Sequence, residues 1–290
     1  MSTSNSIIND FKIKIKKRLL KSLAKHVFLS KEWSSLEDAK EFFHSYLECK
    51  QEEKWVITEF GEGYRIYIDL MDCGVSRHVL FSTYESKETD IIRKHLKPGS
   101  VFIDIGANIG WYTIQASHWV GEKGVVMAFE PRPSTFQYLL KSIQENGLSN
   151  VRLFNIALSN APGTGNLMKV EGQRNTGGSY LGTGKGIEVP LQTLDQLSEN
   201  LDRLDIIKMD VEGWEPMVIE GAKKTIKKFK PIIVSEISSD FLFERMSLSD
   251  NTFIQFVNAL GYRCYDIETM NEISGCPKER SHINAIFFPI

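Results

Sequence analysis

Val101-Phe-Ile-Asp-Ile-Gly-Ala-Asn-Ile-Gly-Trp-Tyr-Thr-Ile114 is the stretch whose reading decides the fold. Its opening residues form a short apolar run of the kind that makes a buried parallel strand, and the breaker pair Pro98-Gly99 fixes where that strand can start. Gly106 and Gly110 then let the backbone turn sharply and approach a ligand closely. From Ile109 to Val120 apolar residues return at helical spacing. Strand, glycine turn and helix N-terminus, in that order, point to a site for a nucleotide-like cofactor.

Two cofactor classes use such a turn, and spacing separates them. The dinucleotide pattern G-x-G-x-x-G would need glycines at 106, 108 and 111, where Asn108 and Trp111 stand in two of the three places. The pattern present is D-x-G-x-N-x-G. Asp104 would repel a pyrophosphate and attract the ammonium and sulfonium of S-adenosylmethionine. Glu130 ends the next apolar run, Val125-Val-Met-Ala-Phe-Glu-Pro131, about 20 residues past Gly110, where a Rossmann-like unit places its ribose-binding carboxylate. Asp104 as a plain helix cap, or Glu130 as a surface acid before a helix-starting proline, would explain each residue singly. Their order favours cofactor contact by Asp104, Gly106, Asn108, Gly110 and Glu130 together.

Phe102-Ile-Asp-Ile-Gly-Ala-Asn-Ile-Gly-Trp-Tyr-Thr113, Phe129-Glu-Pro131, Asn146, Asn155-Ile-Ala-Leu-Ser159 and Ile207-Lys-Met-Asp-Val-Glu-Gly-Trp-Glu215 resemble the FkbM family of S-adenosylmethionine-dependent methyltransferases. The flanking pattern extends the resemblance from Tyr64 to the C-terminus. The resemblance implies a class I methyltransferase fold, S-adenosyl-L-methionine as cofactor, and transfer to a hydroxyl of a sugar, a glycan or another small polar acceptor. It also places Asn155 and Ala157 near the adenine and Glu85 near the mouth of the site.

Hydrophobic residues at 42% and charged residues at 25% are ordinary globular values, so a chain of 290 residues can bury a sizeable core. A net charge of −2 gives no general attraction to nucleic acid. Cys49, Cys73, Cys264 and Cys276 have neither zinc-site nor disulfide-framework spacing, which favours a reducing cytosol. No apolar run is long enough to span a membrane.

Residues 7–28 carry a helical stripe, Ile8, Phe11, Ile15, Leu19, Leu23 and Val27, among seven basic side chains from Lys12 to Lys25. Such a helix docks on the domain with a solvated lysine face, or lies on an anionic membrane surface or a partner protein. Residues 1–54 are thus read as a basic accessory segment, with a second helix at 36–54. Residues 55–97 are read as a small hairpin unit with strands at 55–60, 64–71 and 78–82 and a lead-in helix.

From residue 98 to 290 strands and helices alternate, the signature of a doubly wound α/β domain. Strands are expected at 101–105, 125–129, 151–156, 204–210, 231–236, 261–267 and 282–289, giving a seven-stranded, mostly parallel sheet with helices on both faces. The last strand fits the antiparallel strand that class I methyltransferases insert into their sheet. Glycine-rich residues 171–188 read either as a surface loop or as a lid over the cofactor, in which Asn175, Gly177 and Ser179 match the family pattern.

The densest charge in an apolar context is Ile206-Ile-Lys-Met-Asp-Val-Glu-Gly213. Strand alternation puts Lys208 and Asp210 on one side of a central strand, where unpaired charges would be costly. They form a structural ion pair or serve the site. Glu236, on the next strand, can face Asp210 and Glu212 across the crevice at the strand ends, where open α/β sheets bind ligands. Glu212 and Glu236 are candidate bases, Asp210 a candidate for orienting the cofactor or acceptor, and Lys208 its charge partner. The three acids could also hold a hard cation, but no histidine or cysteine spacing suggests a metal cage. A dinucleotide oxidoreductase fails on glycine spacing, and a non-catalytic adapter would not need every cofactor residue.

Overall fold

The computed structural model describes residues 55–69, 72, 74–80, 84–169 and 177–290. The helices expected at 7–28 and 36–54 lie outside these residues, as do Asn175, Cys49 and Cys73.

Trp55–Phe60 (β1) and Tyr64–Asp69 (β2) form an antiparallel hairpin with Phe60 opposite Tyr64. Alternation works as expected in β2, where Tyr64, Ile66 and Ile68 are buried on one face. The strand expected at 78–82 is absent from its described part, residues 78–80. Val75–Leu80 is instead a helix, α1. Asp72 starts it by accepting hydrogen bonds from the N–H groups of Gly74 and Ser76, and Val75 and Val79, one turn apart, are both buried. Helix α2 follows over Ser86–His95.

The remaining elements run β3 Val101–Ile105, α3 Trp111–Val120, β4 Val125–Phe129, α4 Pro133–Glu145, β5 Val151–Phe154, β6 Ala157–Leu158, β7 Gly163–Lys169, β8 Ser179–Gly182 and β9 Ile187–Gln192. Then come α5 Leu194–Leu197, β10 Ile206–Met209, α6 Glu215–Glu220, α7 Lys223–Phe229, β11 Ile232–Ser238, α8 Ser239–Met246, α9 Asp250–Asn258, β12 Tyr262–Asp266 and β13 His282–Pro289.

The main sheet has seven strands in the order β12-β13-β11-β10-β3-β4-β5. All neighbours pair in parallel except β13, which is antiparallel to both β11 and β12. This is the class I methyltransferase arrangement, with the inserted last strand where the sequence put it. The central strands are apolar at consecutive positions because both faces are covered. Ile103, Ile105, Met127 and Phe129 point into one core, while Phe102, Val126 and Ala128 point into the other.

The hairpin shares the second core. Phe60, Ile66 and Ile68 pack there with Ile114 and Val126, so the hairpin is continuous with the core of the domain. Asn146 strengthens the seam, accepting from the Arg65 N–H at 2.8 Å and donating to the Arg65 carbonyl at 2.6 Å.

The sequence reading missed a second sheet, ordered β6-β9-β7-β8. Ser179–Gly182 and the first residues of β9, within the glycine-rich stretch read as loop or lid, belong to it. Its glycines lie where side chains from neighbouring strands need room. A Cβ at Gly182 would sit 2.8 Å from Met168 Sδ, and one at Gly165 3.2 Å from Leu181 Cδ2. Among the described residues no helix is long and apolar enough to cross a membrane.

Candidate active site

The turn after β3 is built by the main chain. The N–H groups of Gly106 and Ala107 both donate to the Phe129 carbonyl, at 3.0 and 2.9 Å, tying the turn to the end of β4. Gly106 has φ +81°, and a Cβ there would fall 1.9 Å from the Asp210 carbonyl oxygen. The close approach that demands glycine is thus to the exit of β10. Gly110 caps α3 at φ +101°, with Leu139 packed against it.

Glu130 sits one residue beyond β4. Its Oε2 accepts from the Asn108 N–H at 2.9 Å and its Oε1 from the Arg132 N–H at 2.8 Å. Burial pushes its carboxyl up to about 7, against the stabilising pull of those two N–H groups. Asn155 donates to the carbonyls of Glu130 and Pro131, at 2.8 and 3.1 Å, and so fixes the corner that aims Glu130.

A cavity of about 260 Å³ runs from this corner to the exits of β10 and β11. Gly106, Asn108, Glu130 and Ala157 line it toward one end, and Lys208, Asp210, Glu212 and Glu236 line it toward the other. Three expected cofactor contacts, Asp104, Gly110 and Asn155, do not line it. Gly110 and Asn155 serve the local architecture just described. Asp104 is 1% exposed and accepts from Thr113 Oγ1 at 2.5 Å, while its second oxygen has no partner. Burial raises its pKa, and nearby Lys208 opposes that.

The acidic end gathers around Lys208. The register pairs Lys208 with Asp104 on β3 and with Val234 on β11, which carries Asp210 alongside Glu236. The Lys208 ammonium is 3.1 Å from Asp210 Oδ2 and 4.9 Å above the Tyr112 ring. Burial alone would lower its pKa; Asp210, Glu85 and Asp104 more than reverse this and hold it charged. The expected Lys208–Asp210 pair is therefore present, and it stands in the cavity wall.

Around that pair the remaining acids are held toward their neutral forms. Glu212, at φ +57°, has its carboxyl pushed up to about 8, first by burial and then by Asp210, with Arg245 opposing. Glu236 is raised well above the usual range by burial, by Asp210 and by Glu212. Glu215 accepts from the N–H groups of Val211 and Gly213, at 3.2 and 3.3 Å, and so pins the loop that carries Glu212. Among the described residues no group of three acids, histidines or cysteines is arranged to hold a metal ion.

Several lining residues escaped the sequence reading. Tyr84 and Tyr112 enclose Glu85, which accepts a short hydrogen bond from the Tyr112 hydroxyl. Tyr112 lay inside the quoted motif, and its place beside the α3 N-terminus was a usable signal. Trp214, whose indole N–H donates to Ser159 Oγ at 3.3 Å, also lay within a quoted motif. Arg245, which stands beside Glu212 without lining the cavity, gave no signal, because α8 brings it in from outside every motif. Strand β8 closes one side: Ser179 Oγ accepts from Arg132, and Tyr180 stacks on the Arg245 guanidinium at 4.0 Å.

The profile of the Methyltransferase FkbM domain matches residues 104–264, more than half of the chain. The protein belongs to the FkbM methyltransferase family. Membership implies S-adenosylmethionine as the cofactor. The FkbM chain is 27% identical over 159 residues to Methyltransferase sdnD of Sordaria araneosa, a match covering 43% of this chain and 61% of that one. It is 27% identical over 145 residues to Methyltransferase 1 of Beauveria bassiana, covering 42% and 58%. The matches thus span about three fifths of these relatives. A crystal structure of Methyltransferase FkbM from Methylobacillus flagellatus KT aligns with 15% identity and a TM-score of 0.42, over 73% of this chain and 54% of that one.

Proposed function

We propose that this FkbM protein transfers a methyl group from S-adenosylmethionine to a hydroxyl of a sugar, a glycan or another small polar acceptor. One observation carries the reading: a single cavity joins Glu130, held by two main-chain N–H groups, to the acids Asp210, Glu212 and Glu236.

The residues fit this donor. Each Glu130 oxygen keeps an acceptor lone pair beyond its backbone bond, as two adjacent ribose hydroxyls require. Asn108 lines the cavity and its Oδ1 has no partner within the protein. When bound, the donor supplies a methyl already activated on a sulfonium, so the chain's main task is alignment.

A neutral hydroxyl is a poor nucleophile, and a carboxylate that takes its proton during attack contributes roughly 10²- to 10⁴-fold. Glu212 and Glu236 are the candidate bases. A carboxyl near 8 is partly ionised at neutral pH and matched to proton acceptance, which supports Glu212. Glu236, pushed further toward its neutral form and hydrogen-bonded to Asp210, suits sharing a proton with that residue. Lys208 keeps Asp210 paired and fixed beside both.

The test is mass spectrometry of small-molecule and glycan extracts incubated with the protein and S-adenosylmethionine. The expected result is an acceptor heavier by one methyl, with S-adenosylhomocysteine formed in equal amount. Methyl gain on an amine, a carbon or a protein side chain, and not on oxygen, would overturn the acceptor class.

A further inference from the structure

We infer that Arg245 is a positioning residue that sets the charge and orientation of Glu212, and that Tyr180 of the second sheet holds Arg245 in place to do so.

Phe241 and Arg245 are four residues apart and so share one face of helix α8. The loop carrying Glu212 rests on that face. At Gly213, φ +89°, a Cβ would meet Phe241 Cβ at 2.9 Å and the Phe241 carbonyl at 3.1 Å, so the loop is seated directly on the helix. Glu212, just before it, is held in the left-handed region, which disfavours a side chain and so fixes where its Cβ points.

Arg245 stands beside that carboxylate. Its side chain is only 9% exposed, and its guanidinium lies between two rings, 3.9 Å from Phe241 and 4.0 Å from Tyr180. A buried guanidinium ordinarily fills its donors. Here Nη1 is buried without a hydrogen bond and points to Glu212 Oε2 at 3.8 Å. The ring faces hold the cation where it acts on Glu212 as a charge, without the tight bidentate pair that would lock the carboxylate away from the cavity.

The other groups facing Glu212 mostly oppose its ionisation. Asp210 at the exit of β10, Glu215 on α6 and Glu236 on β11 are acids, and the ammonium of Lys208 is already engaged by Asp210. Arg245 is therefore the main influence drawing Glu212 toward its carboxylate form. Tyr180 ties this influence to β8, whose first residue, Ser179, is held by Arg132 next to Glu130.

The role of Glu212 as base rests on the proposed methyl transfer; the claim about Arg245 is read on the titration of Glu212 itself and fails or holds separately. Protein labelled with ¹³C at glutamate carboxyls is titrated by NMR, the Glu212 resonance being assigned by its loss in Glu212→Gln. Removing the cation favours the neutral carboxyl, so Arg245→Met is expected to raise the Glu212 midpoint by about one pH unit, as for loss of an opposite charge at this distance. Arg245→Lys should undo at least half of that rise. Should Arg245→Met not fold, as judged by circular dichroism, Tyr180→Leu keeps the charge but frees it, and the midpoint should rise by roughly half as much. An unmoved midpoint in the folded variants, or a rise that lysine does not reduce, would overturn the inference.

Discussion

Glu130, just past β4, and Glu236, within β11, are both carboxylates lining the same cavity from one sheet, yet they are held in opposite ways. Glu130 has a main-chain N–H on each oxygen, from Asn108 and Arg132. Glu236 has acids for neighbours, Asp210 and Glu212, and its proton is held by their repulsion and by burial. Main-chain donors fix a carboxylate as an acceptor in one geometry, which suits binding. A crowd of like charges leaves protons mobile among several groups, which suits chemistry. The difference between the two ends is between a site built by backbone and a site built by charge.

The largest effect should come from breaking the backbone end. Gly106→Ala puts a Cβ 1.9 Å from the Asp210 carbonyl at a positive φ, so either β3 or the exit of β10 must move. A loss of about 3 kcal/mol of stability or more is expected, from overpacking and strain together. Urea denaturation measures it, and a loss below about 1 kcal/mol would mean that the turn is looser than described.

Breaking the charged end should spare folding and cost turnover. Glu212→Gln or Glu236→Gln is expected to cut turnover at least roughly tenfold while leaving cofactor affinity nearly unchanged. Steady-state rates with a measured cofactor Kd separate the two. If both variants turn over normally, catalysis rests on alignment alone and neither glutamate is a base.

A smaller effect sharpens the contrast. Burial holds Glu130 and Glu215 at about 7 and Glu212 at about 8, above the ordinary glutamate value of 4.5. A folded state that binds protons more tightly than the unfolded chain has its contribution fully present below pH 4.5 and loses it as pH rises through 7 to 8. Glu212→Gln removes one such group. Its melting temperature relative to the parent protein should therefore be near zero at pH 5 and positive by roughly 2 °C at pH 8. A difference that is flat with pH would show that Glu212 ionises freely.

The binding end was largely legible in the sequence, because strand, turn and acid follow one another within residues 101–131 and local chemistry dictates each step. Even there Asp104, read as a contact, does not line the cavity, and one of its oxygens accepts from Thr113 Oγ1. The seven strands of the main sheet and its mostly parallel class were legible from alternating elements, while their order was not. The second sheet was not, since glycines at 165 and 182 that signal loops singly are, in the fold, spaces for Leu181 and Met168. Helix α1 was misread because His78–Ser82 looks extended, while Asp72, which nucleates the helix, precedes the stretch being read. Arg245 reaches Glu212 only through tertiary packing, so no window of sequence contains the pair.

The proposed methyl transfer requires that the Glu130 corner hold S-adenosylmethionine. Thermal melting of the parent protein and of Glu130→Gln, each with S-adenosylhomocysteine or NAD at about 1 mM, tests it most directly, because a ligand that binds only the folded state raises its melting temperature by mass action. A clear rise is expected with S-adenosylhomocysteine, none with NAD, and a much smaller rise in Glu130→Gln. A shift with NAD alone, or an undiminished shift in Glu130→Gln, would contradict it.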